Sequence, residues 1–167
     1  MERRKSVLVV EDEVLIGEMI GSALSDDGFD VHLSADAGDA LRYLRSGKPV
    51  DVLFTDIDLP GEMDGGGLAR CARELFPDLP VVYASGKASG VRHVAKVPGS
   101  IFMQKPYDPR EASMLVEEKT ALASEYLMLI ETMKANAEFI GGELPTAFLQ
   151  ACGVAMDTHF GEPRRAA

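Results

Sequence analysis

The sequence predicts an α/β protein, a doubly wound five-stranded parallel sheet followed by a C-terminal helical extension. Three observations predict it. Over the first two thirds of the chain, short β-branched runs alternate with segments whose apolar residues recur every three or four positions. The β-like runs are continuously apolar, as strands covered on both faces must be. Polar residues stand at the ends of those runs, where an open parallel sheet places its ligand site.

Val7 to Val10 is the first strand. Ile16, Met19, Ile20, Ala23 and Leu24 form the apolar face of the first helix, and Gly28 stops it. Phe29 to Leu33 is the second strand. Ala37, Ala40, Leu41 and Leu44 repeat the helical spacing until Ser46-Gly47-Lys48-Pro49 ends it. Val50 to Thr55 is the third strand. Leu68, Cys71, Ala72 and Leu75 form the next helical face, stopped before Pro77, with Cys71 expected in the core. Leu79 to Ala84 and Ile101 to Gln104 are the fourth and fifth strands. Between them, Gly86, Ser89, Gly90, Pro98, Gly99 and Ser100 crowd residues 86–100, which read mostly as loop. Asp108 is an N-cap with Pro109 at the first helical position, and no breaker follows before Gly141-Gly142. That stretch is one long helix or two in sequence. Leu144 to Met156 suits a further short helix starting at Pro145.

Composition narrows the function. The 167 residues suit about one domain with an ordinary apolar content of 46%. A formal charge of −10 argues against a large nucleic-acid footprint, because phosphate contacts want Lys and Arg. No apolar run is long enough to span a membrane, and Glu11-Asp12 cut the first run too short for a signal peptide. Cys71 and Cys152 match no metal spacing. A reduced, cytoplasmic protein is the expectation.

The strand ends carry the chemistry. Glu11 and Asp12 follow the first strand, Asp56 the third, Ser85 the fourth and Lys105 the fifth. Clustered carboxylates repel and raise one another's pKa, which a divalent cation relieves. Oxygen donors without His or Cys suit Mg²⁺, or Mn²⁺ in its place. A cation, an ammonium and a hydroxyl are the parts that stabilise a phosphoryl group in transfer. A carboxylate can itself be the nucleophile and form an aspartyl phosphate. Asp56, at the end of Val52-Leu53-Phe54, is the candidate.

These residues resemble the receiver domain of two-component response regulators. The resemblance covers roughly residues 5–120. It rests on Val9-Val10-Glu11-Asp12-Glu13, Phe54-Thr55-Asp56-Ile57-Asp58-Leu59-Pro60-Gly61 and Met63-Asp64-Gly65. Val81-Val82-Tyr83-Ala84-Ser85-Gly86 and Phe102-Met103-Gln104-Lys105-Pro106-Tyr107 complete it. The resemblance implies a flavodoxin-like fold and a phosphorylation-dependent switch in phosphorelay signalling rather than an enzyme. It implies that Asp56 takes a phosphoryl group from a histidine kinase or a histidine phosphotransfer protein. Glu11, Asp12 and Asp56, with the Asp58 backbone carbonyl, would hold Mg²⁺. Lys105 and Ser85 would bind the phosphoryl group, Phe102 would be the aromatic switch, and Pro106 would follow a cis bond. Glu11 stands where an aspartate is more frequent, and the turn after Pro60, with Gly61-Glu62 before Met63, is one residue longer than the commonest form. Phe102 lacks the hydroxyl that a tyrosine would offer.

The resemblance implies a receiver at residues 1–119 and a helical extension at 120–167. Along the helical stretch from Asp108, which runs into the extension, Leu115, Leu122, Leu129 and Asn136 recur every seven residues, interleaved with Lys119, Tyr126, Met133 and Ile140. Its first part must pack on the sheet. The remainder carries too much apolar surface for a lone exposed helix, so a homodimer or another partner is expected, with packing back on the receiver as the alternative. A transcriptional regulator with a small DNA-binding module is a second reading of the whole chain. Residues 118–167 hold four basic side chains against seven acidic ones, without the positive recognition helix that reading needs. Asp56-x-Asp58 is also the nucleophile pattern of haloacid-dehalogenase-like phosphatases, but there it sits on the first strand.

Overall fold

In the computed structural model, described residues are 3–86 and 96–140, with side chains to 133. Five strands run β1 (Ser6–Val10), β2 (Asp30–Ser34), β3 (Val52–Asp56), β4 (Val81–Ser85) and β5 (Ile101–Gln104). Four helices are α1 (Val14–Asp26), α2 (Ala37–Leu44), α3 (Gly65–Leu75) and α4 (Pro109–Ile140). The strands are all parallel, in the order β2-β1-β3-β4-β5. Consecutive strands outside the sheet order reverse direction of winding at β1, so helices cover both faces and the strand ends beside β1 and β3 form a crevice.

The core divides along the sheet. Leu8, Val10, Leu53, Val81 and Tyr83 point to the side of α2 and α3, with Ala40, Leu44, Leu68 and Ala72 packed on them. Val7, Val9, Phe54, Val82 and Ala84 point to the other side, against Ile20 and Leu24 of α1 and Ala112 and Val116 of α4. This is the period-2 alternation of a sheet buried on both faces, and it explains the unbroken apolar runs.

Several expectations shift. Three strands start and end one or two residues later than expected, so Asp56 and Ser85 are the last residues of β3 and β4. Met19 is 57% exposed, and Gly17 and Gly21 take buried positions on α1 instead. A Cβ on Gly21 would lie 3.2 Å from the end of the Leu33 side chain, so α1 passes close to β2 there. Leu75 is exposed, and Cys71 is half-buried rather than in the core. In α4 the residues fully buried against the sheet are Ala112 and Val116; Leu115 is half-buried and Leu122 exposed. These two positions lie four residues apart on one helical face, which the seven-residue leucine spacing does not reveal.

Asp108 caps α4 as expected, accepting from the Arg110 N–H at 2.9 Å. The helix is continuous over Pro109–Ile140. The chain divides into two compact units, Met1–Ala123 and Ser124–Ala167. Residues 87–95, Gly141-Gly142, the segment Leu144 to Met156 and, within it, Cys152 lie outside the described residues. Residues 96–100 hold no regular structure.

Candidate functional site

Glu11, Asp12 and Asp56 meet at the carboxyl ends of β1 and β3. One carboxylate oxygen from each lies within 4.8 Å of the others. Parallel pairing of Val10 with Thr55 sets the two strand ends side by side. Glu11 and Asp56 are buried, while Asp12 is exposed and opens the cluster to solvent.

Lys105 reaches this cluster from the end of β5. Its ammonium donates to Asp56 Oδ2 at 2.6 Å and to both Glu11 oxygens at 2.7 and 2.9 Å. Its own N–H donates to the Ser85 carbonyl at 2.9 Å, which fixes where the side chain departs. The Lys105–Pro106 peptide is cis. Ser85 Oγ donates to Asp58 Oδ2 at 3.0 Å, and the Asp58 N–H donates to Asp56 Oδ1 at 2.9 Å. Asp56 therefore has one oxygen held by a cation and the other by a backbone amide.

The electrostatics are unbalanced. Burial pushes the Glu11 carboxyl up, against the pull of the Lys105 hydrogen bond and charge, and the neighbouring Asp56 adds to the rise. Burial pulls Lys105 down, but the hydrogen bonds it donates to Asp56 and Glu11 outweigh it and leave the ammonium firmer than usual. One cation faces three carboxylates, so the cluster retains negative charge that a divalent ion would neutralise. The donors are all oxygen, and exposed Asp12 leaves an open side for water. That set fits a hard, hydrated ion such as Mg²⁺.

Phe102 is half-buried beside the core, with the Lys96 ammonium 5.2 Å from its ring centre. It pairs in register with Tyr83, one residue away from the pairing of Ala84 with Met103.

Two contributors were not singled out from the sequence. Gly65 opens α3 so close to β3 that a Cβ there would lie 2.0 Å from the Asp56 carbonyl oxygen. The Asp64-Gly65-Gly66-Gly67 run was the available signal, since close backbone approach demands glycine. Thr55 Oγ1 donates to the same carbonyl at 2.8 Å. Nothing in the sequence distinguishes that threonine from any other strand residue.

Residues 7–117 match the response regulator receiver domain family. The chain belongs to that family. An NtrX-like response regulator of Rickettsia felis is 31% identical over 142 residues, covering 81% of this chain and 30% of that protein. The transcriptional regulatory protein YbdJ of Bacillus subtilis is 31% identical over 121 residues, covering 72% of this chain and 52% of its own length. The chain thus spans about a third to a half of these curated relatives. Among solved structures, a response regulator receiver protein from Sinorhizobium medicae superposes with a TM-score of 0.68 at 31% identity, covering 72% of this chain and 98% of that one. The receiver region is a signalling switch by family, and the doubly wound sheet is that family's fold.

Proposed function

We propose that this receiver is switched by phosphorylation of Asp56 and passes the signal on by protein–protein contact. The observation that carries the reading is the Asp56 carboxylate itself. It ends the central strand with the Lys105 ammonium at 2.6 Å and two further carboxylates beside it.

Glu11, Asp12 and Asp56, with the Asp58 backbone carbonyl, would hold Mg²⁺ or Mn²⁺. The ion would offset carboxylate repulsion and neutralise charge on an incoming phosphoryl group. An Asp56 oxygen attacks phosphorus and the bond to the donor's leaving group breaks, with the leaving group taking the electron pair. Lys105 then pairs with the phosphoryl oxygens, and Ser85 leaves Asp58 to donate to them. Phe102 follows Ser85 toward the core, which biases a two-state surface. The chain labels itself in this scheme and turns over no separate substrate.

The phosphodonor would be a histidine kinase or a histidine phosphotransfer protein. Val14 and Leu15 start α1 two and three residues beyond Asp12, and are 65% and 74% exposed. An apolar surface beside the acceptor suits a docking donor domain. A cytoplasmic setting belongs to the same proposal; among the described residues no helix is long and apolar enough to cross a membrane.

A receiver at 1–119 and an extension at 120–167 remain the proposed division. Leu127, Met128 and Leu129 are exposed on the helical part of the extension, which supports self-association through it. Leu127→Lys with Leu129→Lys is expected to lower the mass in light scattering from dimer to monomer. An unchanged mass removes the homodimer.

Intact-mass spectrometry after incubation with acetyl phosphate and Mg²⁺ tests the central reading. The wild-type chain should gain one phosphoryl group, and Asp56→Ala none. Equal labelling of the variant would falsify the assignment.

A further inference from the structure

Tyr107 lies two residues after Lys105, and its hydroxyl is buried with no hydrogen-bond partner among the described residues. The ring has an ordinary role. It stands edge-on to Phe54, with centroids 6.0 Å apart and planes at 72°, against the Val7, Val9 and Phe54 side of the sheet. A phenylalanine would fill that space equally well, so packing leaves the hydroxyl unexplained. A buried hydroxyl without a partner is a cost that a fold normally avoids.

The strand register says what lies nearby. Val9 and Phe54 are partners across β1 and β3, and Glu11 and Asp56 each follow two residues later. Period-2 alternation sends all four toward the face where Tyr107 packs. The placement of Glu11 agrees, because its Cβ lies 3.7 Å from where a Cβ on Gly17 of α1 would be. Burial raises the phenol's pKa, and the charges of Glu11 and then Asp56 raise it further. The group therefore stays a neutral donor, and a donor at an acidic strand end needs an acceptor. Glu11 is the carboxylate that comes to need one. It is buried, and Lys105, which it shares with Asp56, is its ammonium partner.

We propose that Tyr107 is a positioning residue for the acidic cluster. When a phosphoryl group on Asp56 draws Lys105 away, the Tyr107 hydroxyl donates to Glu11, directly or through one water. The Glu11 carboxylate is thereby held in place for the metal ion. The inference rests on the reading of Asp56 as phosphoryl acceptor.

Tyr107→Phe removes the oxygen and keeps the ring. Without Mg²⁺ its melting temperature should equal or exceed that of the wild type, since an unpaired buried hydroxyl is gone. With beryllofluoride as phosphoryl mimic, its Mg²⁺ affinity by calorimetry should fall about tenfold, the range for a group that orients a metal ligand. Phe54→Leu disturbs the packing but not the hydroxyl. It should lower the melting temperature while leaving that affinity within about twofold, well short of what loss of an orienting group causes. Unchanged Mg²⁺ affinity in Tyr107→Phe overturns the role of Tyr107. So does an affinity loss of the same size in Phe54→Leu. A wild-type chain that is labelled on Asp56 but shows either result overturns this inference alone, whereas a wild-type chain that is neither labelled nor binds Mg²⁺ overturns the reading of the site with it.

Discussion

The two ends of β1 and β3 are both tied by ion pairs, and the contrast between them separates a structural contact from a functional one. At the amino ends, Arg3 grips Asp51 through two hydrogen bonds of 2.8 and 2.9 Å, and the Ser6 N–H donates to the same carboxylate at 2.6 Å. Arg3 is 54% exposed and Asp51 27%. Burial alone would raise the Asp51 carboxyl, but the Arg3 and Ser6 hydrogen bonds outweigh it and hold it below its ordinary value. One cation meets one carboxylate, and the charges balance. At the carboxyl ends, Lys105 faces Glu11 and Asp56, which are 1% and 8% exposed, with Asp12 beside them. There burial wins at Glu11 and its carboxyl rises. A fold seeking stability alone would not gather three acids around one ammonium. The surplus charge is what a divalent ion would relieve, in keeping with the role proposed for the site.

The largest test removes the cation from the crowded end. Lys105→Met leaves buried carboxylates uncompensated and should cost about 3 kcal/mol of stability in urea denaturation at neutral pH. The loss should shrink in acid. A raised Glu11 means that its stabilising proton is fully bound below the unfolded-state pKa and is released as pH rises through the folded one. A variant as stable as the wild type at pH 7 would show that the crowded end is no more strained than the balanced one.

Mg²⁺ sharpens the same contrast. At a concentration a hundredfold above its Kd it should stabilise the wild type by about 2.7 kcal/mol through mass action, and Asp12→Asn should reduce that gain. Asp51→Asn should leave the Mg²⁺ effect unaltered, because that pair lies at the opposite end of the strands. Gly65→Ala probes how tightly the site is built. With a Cβ placed against the Asp56 carbonyl, α3 must shift, at about 2 kcal/mol, read as a lower melting temperature.

The smallest effect belongs to the balanced end. Asp51→Asn should cost under about 1 kcal/mol at pH 7, as partly exposed pairs do. Since the folded-state pKa of Asp51 is lowered, its contribution is present above the unfolded value and lost as pH falls through the folded one. Wild type and variant should then converge in acid, as they do for Lys105→Met, but from a much smaller gap at neutral pH.

Much of this was legible in residue order. The strand ends carry Glu11, Asp12, Asp56, Ser85 and Lys105, and parallel topology obliges strand ends to converge on one edge. Asp108-Pro109 announced a helix start that the structure retains. The failures are equally physical. Met19 lies within the apolar spacing of α1 yet is exposed, while Gly17 and Gly21, which carry no apolar signal, take buried positions beside Ile20 and Leu24. The leucine spacing of α4 overlooked Ala112 and Val116, which share one face of the helix and are fully buried.

By itself the sequence determined the fold class and which side chains could meet, because alternation of apolar runs dictates layers and short loops dictate parallel strand ends. Only the tertiary structure decided how charge is apportioned there. It is register and burial that give Lys105 to both Glu11 and Asp56, leave Asp12 in water and bury the Tyr107 hydroxyl without a partner among the described residues. Those are properties of distance and desolvation, and neither exists until residues far apart in the chain are packed together.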